Sequence, residues 1–218
     1  MSTFPIDIII KKLRTYVRTL DVPIKKLESA IGDDPFRIMI SIILSARTKD
    51  ETTAAVTKRL FSIASTPSKI ILLPETKLKK LIYPIGFYNV KAKNIKNVAR
   101  IIHTQYNDTA PKTRAELLDL PGTGRKTANL VLSKAFNIPA ICVDTHVHRI
   151  PNRWGYIRTK TPFETEMRLQ KKLPKKYWIE FNYLLVAYGQ SVCTPVSPRC
   201  SSCVIREYCK RVGVKKSR

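Results

Sequence analysis

Two side chains and four thiols carry the chemistry available to this sequence. Lys126 stands in Leu120-Pro-Gly-Thr-Gly-Arg-Lys-Thr-Ala-Asn129, and Asp144 in Val143-Asp-Thr-His146. A lysine at the start of a helix beside a second cation, here Arg125, is a candidate nucleophilic amine. A free amine attacks an aldehyde-like carbon and forms a Schiff base. A carboxylate can stabilise positive charge nearby or shuttle a proton. Each residue alone has a plainer reading: an exposed lysine is usually solvated, and an Asp before Thr is commonly a helix N-cap. The pair is more specific than either member.

The four thiols are Cys193, Cys200, Cys203 and Cys209, in the pattern C-x6-C-x2-C-x5-C. Clustering of this kind in a protein read as intracellular points to a metal rather than to disulfides. Structural zinc usually takes two close pairs, whereas only Cys200 and Cys203 are close here. One close pair with wide outer gaps suits a cubane [4Fe–4S] cluster better, with zinc left open by spacing alone. The fifth cysteine, Cys142, lies in an apolar run and reads as a small buried hydrophobe.

The elements that must position these groups follow from local patterns. Thr113 to Asp119 is helix-compatible, with Thr113 and Glu116 in capping-box register. Pro121 and Gly122 stop that helix, and Gly124 is expected to supply a positive φ. From Arg125 to Phe136 a second helix follows, with Ala128, Leu132 and Ala135 on one face. The unit is therefore helix, hairpin, helix. Its hairpin presents N–H groups at a helix N-terminus, a ready site for a phosphate oxygen, with Gly122, Gly124 and Arg125 as the candidate contacts.

Composition narrows the partner. The 218 residues hold 40 Lys+Arg against 16 Asp+Glu, a formal net charge of +24. Self-repulsion of that size is relieved by a polyanion, and nucleic acid is the leading one. No apolar run approaches a bilayer span and no signal-peptide pattern opens the chain, so membrane partners are not expected. The chain reads as an intracellular protein, cytoplasmic or nuclear, and not secreted.

Along the chain, Phe4 to Leu20 is an amphipathic helix with Ile8, Ile9, Leu13, Val17 and Leu20 inward; Pro23 and Gly32 break the pattern. Asp34-Pro35 starts a nearly apolar helix to Ala46, too short to span a membrane and therefore central to the core. Arg47 and Lys49 form a polar loop, and Asp50 is expected to cap the next helix, through Ala64. Short helices start near Pro67 and Pro74. Gly86-Phe87-Tyr88 puts aromatics on a turn beside lysines, where an exposed ring can wedge into a base stack. Asn89 is expected to cap a helix to Tyr106 with Lys91, Lys93, Lys96 and Arg100 outward. Pro151 should end or kink the helix that starts at Asp144. Two helices follow, Pro162 to Leu173 and Lys175 to Gln190, and Lys210 to Arg218 reads as a disordered basic tail. No strand is expected, and the fold class is all-α.

Taken jointly, the hairpin with Lys126, the run Val143-Asp-Thr-His-Val-His-Arg149 and the four spaced cysteines resemble the endonuclease III family of helix-hairpin-helix DNA glycosylases. The resemblance covers nearly the whole chain, from Ile38 to Cys209. It implies two all-α lobes with a DNA-binding cleft between them. One is a six-helix barrel, residues 28–138, with the helix-hairpin-helix at about 113–136. The other joins 1–27 to 139–218 and holds a [4Fe–4S] cluster on Cys193, Cys200, Cys203 and Cys209. It further implies a bifunctional DNA glycosylase and abasic-site lyase of base excision repair, acting as a monomer on double-stranded DNA with damaged pyrimidines or abasic sites. Lys126 would be the nucleophile and Asp144 the catalytic carboxylate. Phe87 matches an apolar wedge, and Arg47 falls where the family often has a Gln that enters the duplex. Lys49, His146 and Arg149 complete the expected DNA contacts.

Overall fold

The computed structural model describes residues 4–218; residues 1–3, the start of the segment assigned to the cluster lobe, lie outside the described residues. The helices in chain order are α1 (Ile6–Thr19), α2 (Pro23–Ile31), α3 (Pro35–Ser45), α4 (Asp50–Phe61), α5 (Pro67–Leu72), α6 (Glu75–Ile82), α7 (Tyr88–Gln105), α8 (Arg114–Leu118), α9 (Arg125–Phe136), α10 (Thr145–Trp154), α11 (Pro162–Lys172) and α12 (Trp178–Ser191). Two turns of 3-10 helix, Lys175–Tyr177 and Arg206–Tyr208, complete the regular structure, and there is no strand among the described residues. No helix among them is long and apolar enough to cross a membrane. The chain divides into two compact units. One is Ile24–Ala140; the other joins the N-terminal residues through Pro23 to Ile141–Arg218.

The first of these units is built around α3. Asp34 caps it, its Oδ1 accepting the Arg37 N–H at 2.8 Å, and Pro35 occupies the first turn. Phe36, Met39, Ile40, Ile43 and Leu44 are all buried. Each such side chain contributes about 1.5–3 kcal/mol, which explains why a helix apolar on every side sits in the middle. It packs on α4, α7 and α9. A helix that the sequence pattern does not announce, α2, covers part of this core with Leu27 and Ile31. The cap expected at Asp50 falls one residue earlier: Lys49 holds the N-cap position and Asp50 is the first residue of α4.

The start of α7 also differs. Phe87, not Asn89, holds the N-cap position, in the left-handed region at φ 59°. Lys91 does not face outward. It is buried, and its Nζ donates to Leu44 O at 2.7 Å and Ala46 O at 2.5 Å, the open carbonyls at the end of α3. Lys96 likewise turns back, to Leu73 O at 2.5 Å. Aliphatic stems let both lysines cover core surface while their heads find acceptors.

Burial pushes the Lys91 ammonium down from 10.5 to about 8. A lowered folded-state value means the buried charge costs stability below about pH 8, and the cost is released as pH rises from about 8 to 10.5. Relative to Lys91→Met, the native chain should therefore gain stability across that window in urea-unfolding measurements. A pH-independent difference would contradict a desolvated charge at this position.

In the second unit, α1 buries Ile9, Ile10, Leu13 and Val17, while Ile8 is exposed. On its other face Lys12 meets Glu207 at 2.9 Å and Arg14 pairs with Glu180. Pro151 does not stop α10, which runs on to Trp154. Ile150, Pro151 and Trp154 are buried there, and the Asn152 side-chain amide donates to His148 O at 2.7 Å, supplying a bond where the proline disturbs the ladder. Gly155 closes the helix at φ 75°. The tail expected to be disordered is tied down: Lys210 N–H donates to Trp154 O at 3.2 Å, Val212 N–H to Arg153 O at 3.0 Å and Arg218 N–H to Pro198 O at 2.8 Å.

Candidate active site and cluster centre

Lys126 is exposed in the first turn of α9. The helix before it, α8, carries the full capping box: Thr113 Oγ1 accepts the Glu116 N–H at 3.3 Å, and Glu116 Oε2 accepts the Thr113 N–H at 3.1 Å. The hairpin then turns at Gly122, not Gly124. Gly122 has φ 79°, and a Cβ there would come within 2.7 Å of Asn94 Nδ2. Gly124 is extended, at φ −97°, and a Cβ on it would meet nothing within 4 Å. Its glycine therefore serves neither the backbone conformation nor protein packing. Gly124 is the N-cap residue and provides no side-chain cap; the Ala128 N–H is bonded to Gly124 O at 2.9 Å. The preceding N–H groups of the turn have no partner inside the helix. An open glycine, an uncapped helix start and two cations, Arg125 and Lys126, form a surface suited to an anionic backbone.

The same unit holds Arg47, Lys49 and Phe87. All three are exposed, Phe87 at 59%. The Arg47 guanidinium lies over the Phe87 ring at 4.8 Å from its centroid. Both residues have positive φ, 56° and 59°, territory that bulky side chains rarely enter without a compensating role.

Asp144 belongs to the other unit. It is half-buried and is the N-cap of α10, with Oδ1 accepting the N–H groups of His146 at 2.9 Å and Val147 at 2.8 Å. The run before it is held from α12, where the Asn182 side chain donates to Cys142 O at 3.3 Å. Cys142 is buried, as its apolar surroundings predict. Oδ2 of Asp144 takes no cap, so the carboxylate keeps one oxygen for other work. Behind it, α10 fits tightly: a Cβ on Gly189 of α12 would collide with the His146 ring and come within 3.0 Å of Arg149 Nη2. The backbone at position 189 must therefore stay bare, a constraint no local pattern announces.

Arg149 and Arg153 strap the segment that starts at Cys193. Arg149 Nη2 donates to Cys193 O at 2.9 Å and also meets His146 Nδ1 at 3.1 Å, and burial lowers its pKa. Arg153 Nη1 donates to Thr194 O at 2.7 Å and its Nη2 to Pro195 O at 2.6 Å. Cys193, Cys200, Cys203 and Cys209 are free thiols lining one cavity with Trp154, Tyr188, Val192 and Val214. Side-chain donors reach two of the sulfurs, Tyr188 OH to Cys203 Sγ at 3.1 Å and Arg153 Nη1 to Cys193 Sγ at 3.5 Å. Burial pushes the Cys203 thiol up and Cys209 up to about 11. Such groups become thiolates when a cation shares the cavity. Among the described residues no three His, Cys, Asp or Glu side chains are gathered to hold a single ion. Four sulfurs around one cavity that Arg153, Arg199 and Arg211 also line, with hydrogen-bond donors behind them, are a donor set that fits an anionic cubane cluster.

The comparisons with known proteins match this geometry. A family model described as "HhH-GPD superfamily base excision DNA repair protein" matches residues 40–175. The "Iron-sulfur binding domain of endonuclease III" matches residues 193–209, which begin and end on the first and last of the four cysteines. The chain is similar to endonuclease III of Thermotoga maritima, 44% identical over 177 residues, covering 81% of this chain and 83% of that protein. It is also similar to a solved non-covalent endonuclease III–DNA complex, with TM-score 0.84, 35% identity and 97% of each chain covered. A trapped endonuclease III–DNA covalent intermediate matches at TM-score 0.83, with 35% identity and the same coverage of 97% for both chains. A helix-hairpin-helix, an all-helical fold and a four-cysteine centre thus occur together in one polypeptide, and the chain belongs to the endonuclease III family of HhH-GPD base excision DNA repair proteins, carrying a [4Fe–4S] cluster.

Proposed function

We propose that this chain is a bifunctional DNA glycosylase and abasic-site lyase that removes oxidised pyrimidines from double-stranded DNA, with Lys126 as nucleophile and Asp144 as its carboxylate partner. The observation that carries the reading is the exposed Lys126 one residue into an uncapped helix, directly after an open glycine turn. The hairpin holds the backbone while the damaged nucleotide leaves the stack. The Lys126 amine then attacks C1′ and the base departs. Asp144 stabilises the positive charge that develops on the sugar and assists proton transfer. The amine loses a proton and the C1′–O4′ bond opens, O4′ taking up a proton, to give an iminium. This withdraws electrons from C2′, whose proton is lost, and β-elimination breaks the bond to the 3′ phosphate. Hydrolysis of the iminium returns the free amine.

Gly122, Gly124, Arg125, Arg47 and Lys49 contact the DNA, and Phe87 fills the gap left by the extruded base. His146 and Arg149 bond within their own unit and act by holding the segments they touch. The cluster, bound by Cys193, Cys200, Cys203 and Cys209, supplies a rigid scaffold for the loops around it. The structural relative solved as a trapped covalent intermediate with DNA supports covalent chemistry here.

The test is a panel of duplexes, each with one oxidised pyrimidine or one abasic site, incubated with the purified protein and borohydride. Excision, strand cleavage and a trapped adduct are expected for the oxidised pyrimidines. Binding without any of them would reduce the chain to a DNA-binding metalloprotein. Affinity should also fall by roughly 10³-fold or more between 50 and 200 mM salt, because phosphate contacts release counterions.

A further inference from the structure

We propose that Lys91 is a positioning residue that locks the Arg47–Phe87 pair into its exposed, duplex-facing arrangement by tying the end of α3 to the start of α7. The inference rests on the reading above that Phe87 enters the duplex.

Among the described residues Lys91 and Glu166 are the charged residues that are buried, and the chemistry proposed for Lys126 and Asp144 makes no use of Lys91. Its three possible donors are matched by three acceptors. Leu44 O and Ala46 O lie at 2.7 and 2.5 Å, and Thr48 Oγ1 at 3.4 Å. These acceptors frame Arg47 on both sides. Thr48 Oγ1 in turn accepts the Gly86 N–H at 3.2 Å, one residue before Phe87. A Cβ on Gly86 would come within 3.0 Å of Arg47 O, so the two turns are in close contact. Above this crossed set of bonds stand Arg47 and Phe87, both with positive φ and stacked on each other. Two unfavourable backbone conformations persist only where the surroundings over-determine them. The Lys91 ammonium and the Thr48–Gly86 bond are what over-determine these two.

A lysine that caps a helix end often belongs to that helix's own last turn. Lys91 instead reaches from α7, more than forty residues along the chain. The bonds of its Nζ to Leu44 O, Ala46 O and Thr48 Oγ1 all end on the segment that carries Arg47.

The experiment compares cluster-loaded full-length wild type with Lys91→Met, Lys91→Arg and Phe87→Ala. Single-turnover excision is measured on a thymine-glycol duplex with 2-aminopurine opposite the lesion, and strand cleavage on a single-stranded abasic oligonucleotide, where no stack need be opened. Lys91→Met should lose between roughly tenfold and a hundredfold more on the duplex than on the single strand, the penalty of a misplaced group. It should also blunt the 2-aminopurine rise, as Phe87→Ala does, and Lys91→Arg should recover part of the loss. If Phe87→Ala is impaired on the duplex while Lys91→Met shows equal losses on both substrates, the assignment of Lys91 is wrong. If Phe87→Ala is not impaired, the duplex-entry reading falls and the role of Lys91 falls with it. Should Lys91→Met fail to fold, Thr48→Val, which removes the shared acceptor, must give the same substrate split for the proposal to stand.

Discussion

Lys126→Ala is expected to abolish the borohydride-trapped adduct and to lower excision by roughly 10⁴-fold or more, the scale seen when a covalent nucleophile is removed from an enzyme that uses one. The structure makes this a clean measurement. Lys126 is exposed in the first turn of α9. Alanine is the better helix former, so stability should stay within about 0.5 kcal/mol of wild type. The turn at Gly122 and the open backbone at Gly124 are untouched, so the variant should still bind duplex DNA, weakened by no more than the loss of a single cation beside the phosphates. A variant that binds, folds and does not trap isolates the amine as the missing part. An undiminished adduct would place the nucleophile elsewhere.

Asp144 carries two roles that can be separated by substitution. As N-cap of α10 it receives two N–H bonds on Oδ1. Asparagine caps nearly as well, so Asp144→Asn should keep the helix, losing at most about 1 kcal/mol of charge–dipole interaction. Excision should nevertheless fall by roughly 10²–10⁴-fold, because the charge that stabilises the sugar is gone. Asp144→Ala removes both roles and should cost a further 0.5–2 kcal/mol or so of stability. Thermal unfolding beside single-turnover excision distinguishes the two. If Asp144→Asn cuts at the wild-type rate, the carboxylate is a cap and nothing more.

Much of this molecule could be read from its residues, and the parts that could share a physical character. The burial of α3, the Asp34 cap, the capping box of α8 and the start of α9 at Arg125 depend on neighbours within a turn or two, and each is as the pattern predicts. The misreadings arise where distant chain decides. Lys91 looks like a solvated lysine until the end of α3 arrives with unpaired carbonyls. Pro151 reads as an end or a kink, and the end is ruled out where the burial of Trp154 and the Asn152 bond carry the helix on. The tail looks free until Trp154, Arg153 and Pro198 offer it carbonyls. Of two nearby glycines it is Gly122 that takes the positive φ, and Asn94 approaches it too closely for a Cβ. The site residues are proposed from type and spacing alone. The residues that hold them, Asn182, Gly189, Tyr188 and Lys91, were not legible, because each acts through a contact formed by tertiary packing.

The left-handed backbone at Arg47 and Phe87 has one more consequence. Glycine would occupy either position without steric penalty, whereas the resident side chains each cost about 1–3 kcal/mol. If both side chains engage the duplex as proposed, stability and lesion removal pull these two positions in opposite directions. Selection for thermal endurance alone would then favour glycine at both, less the entropy that glycine costs on folding, and lesion removal would favour the cation and the aromatic ring.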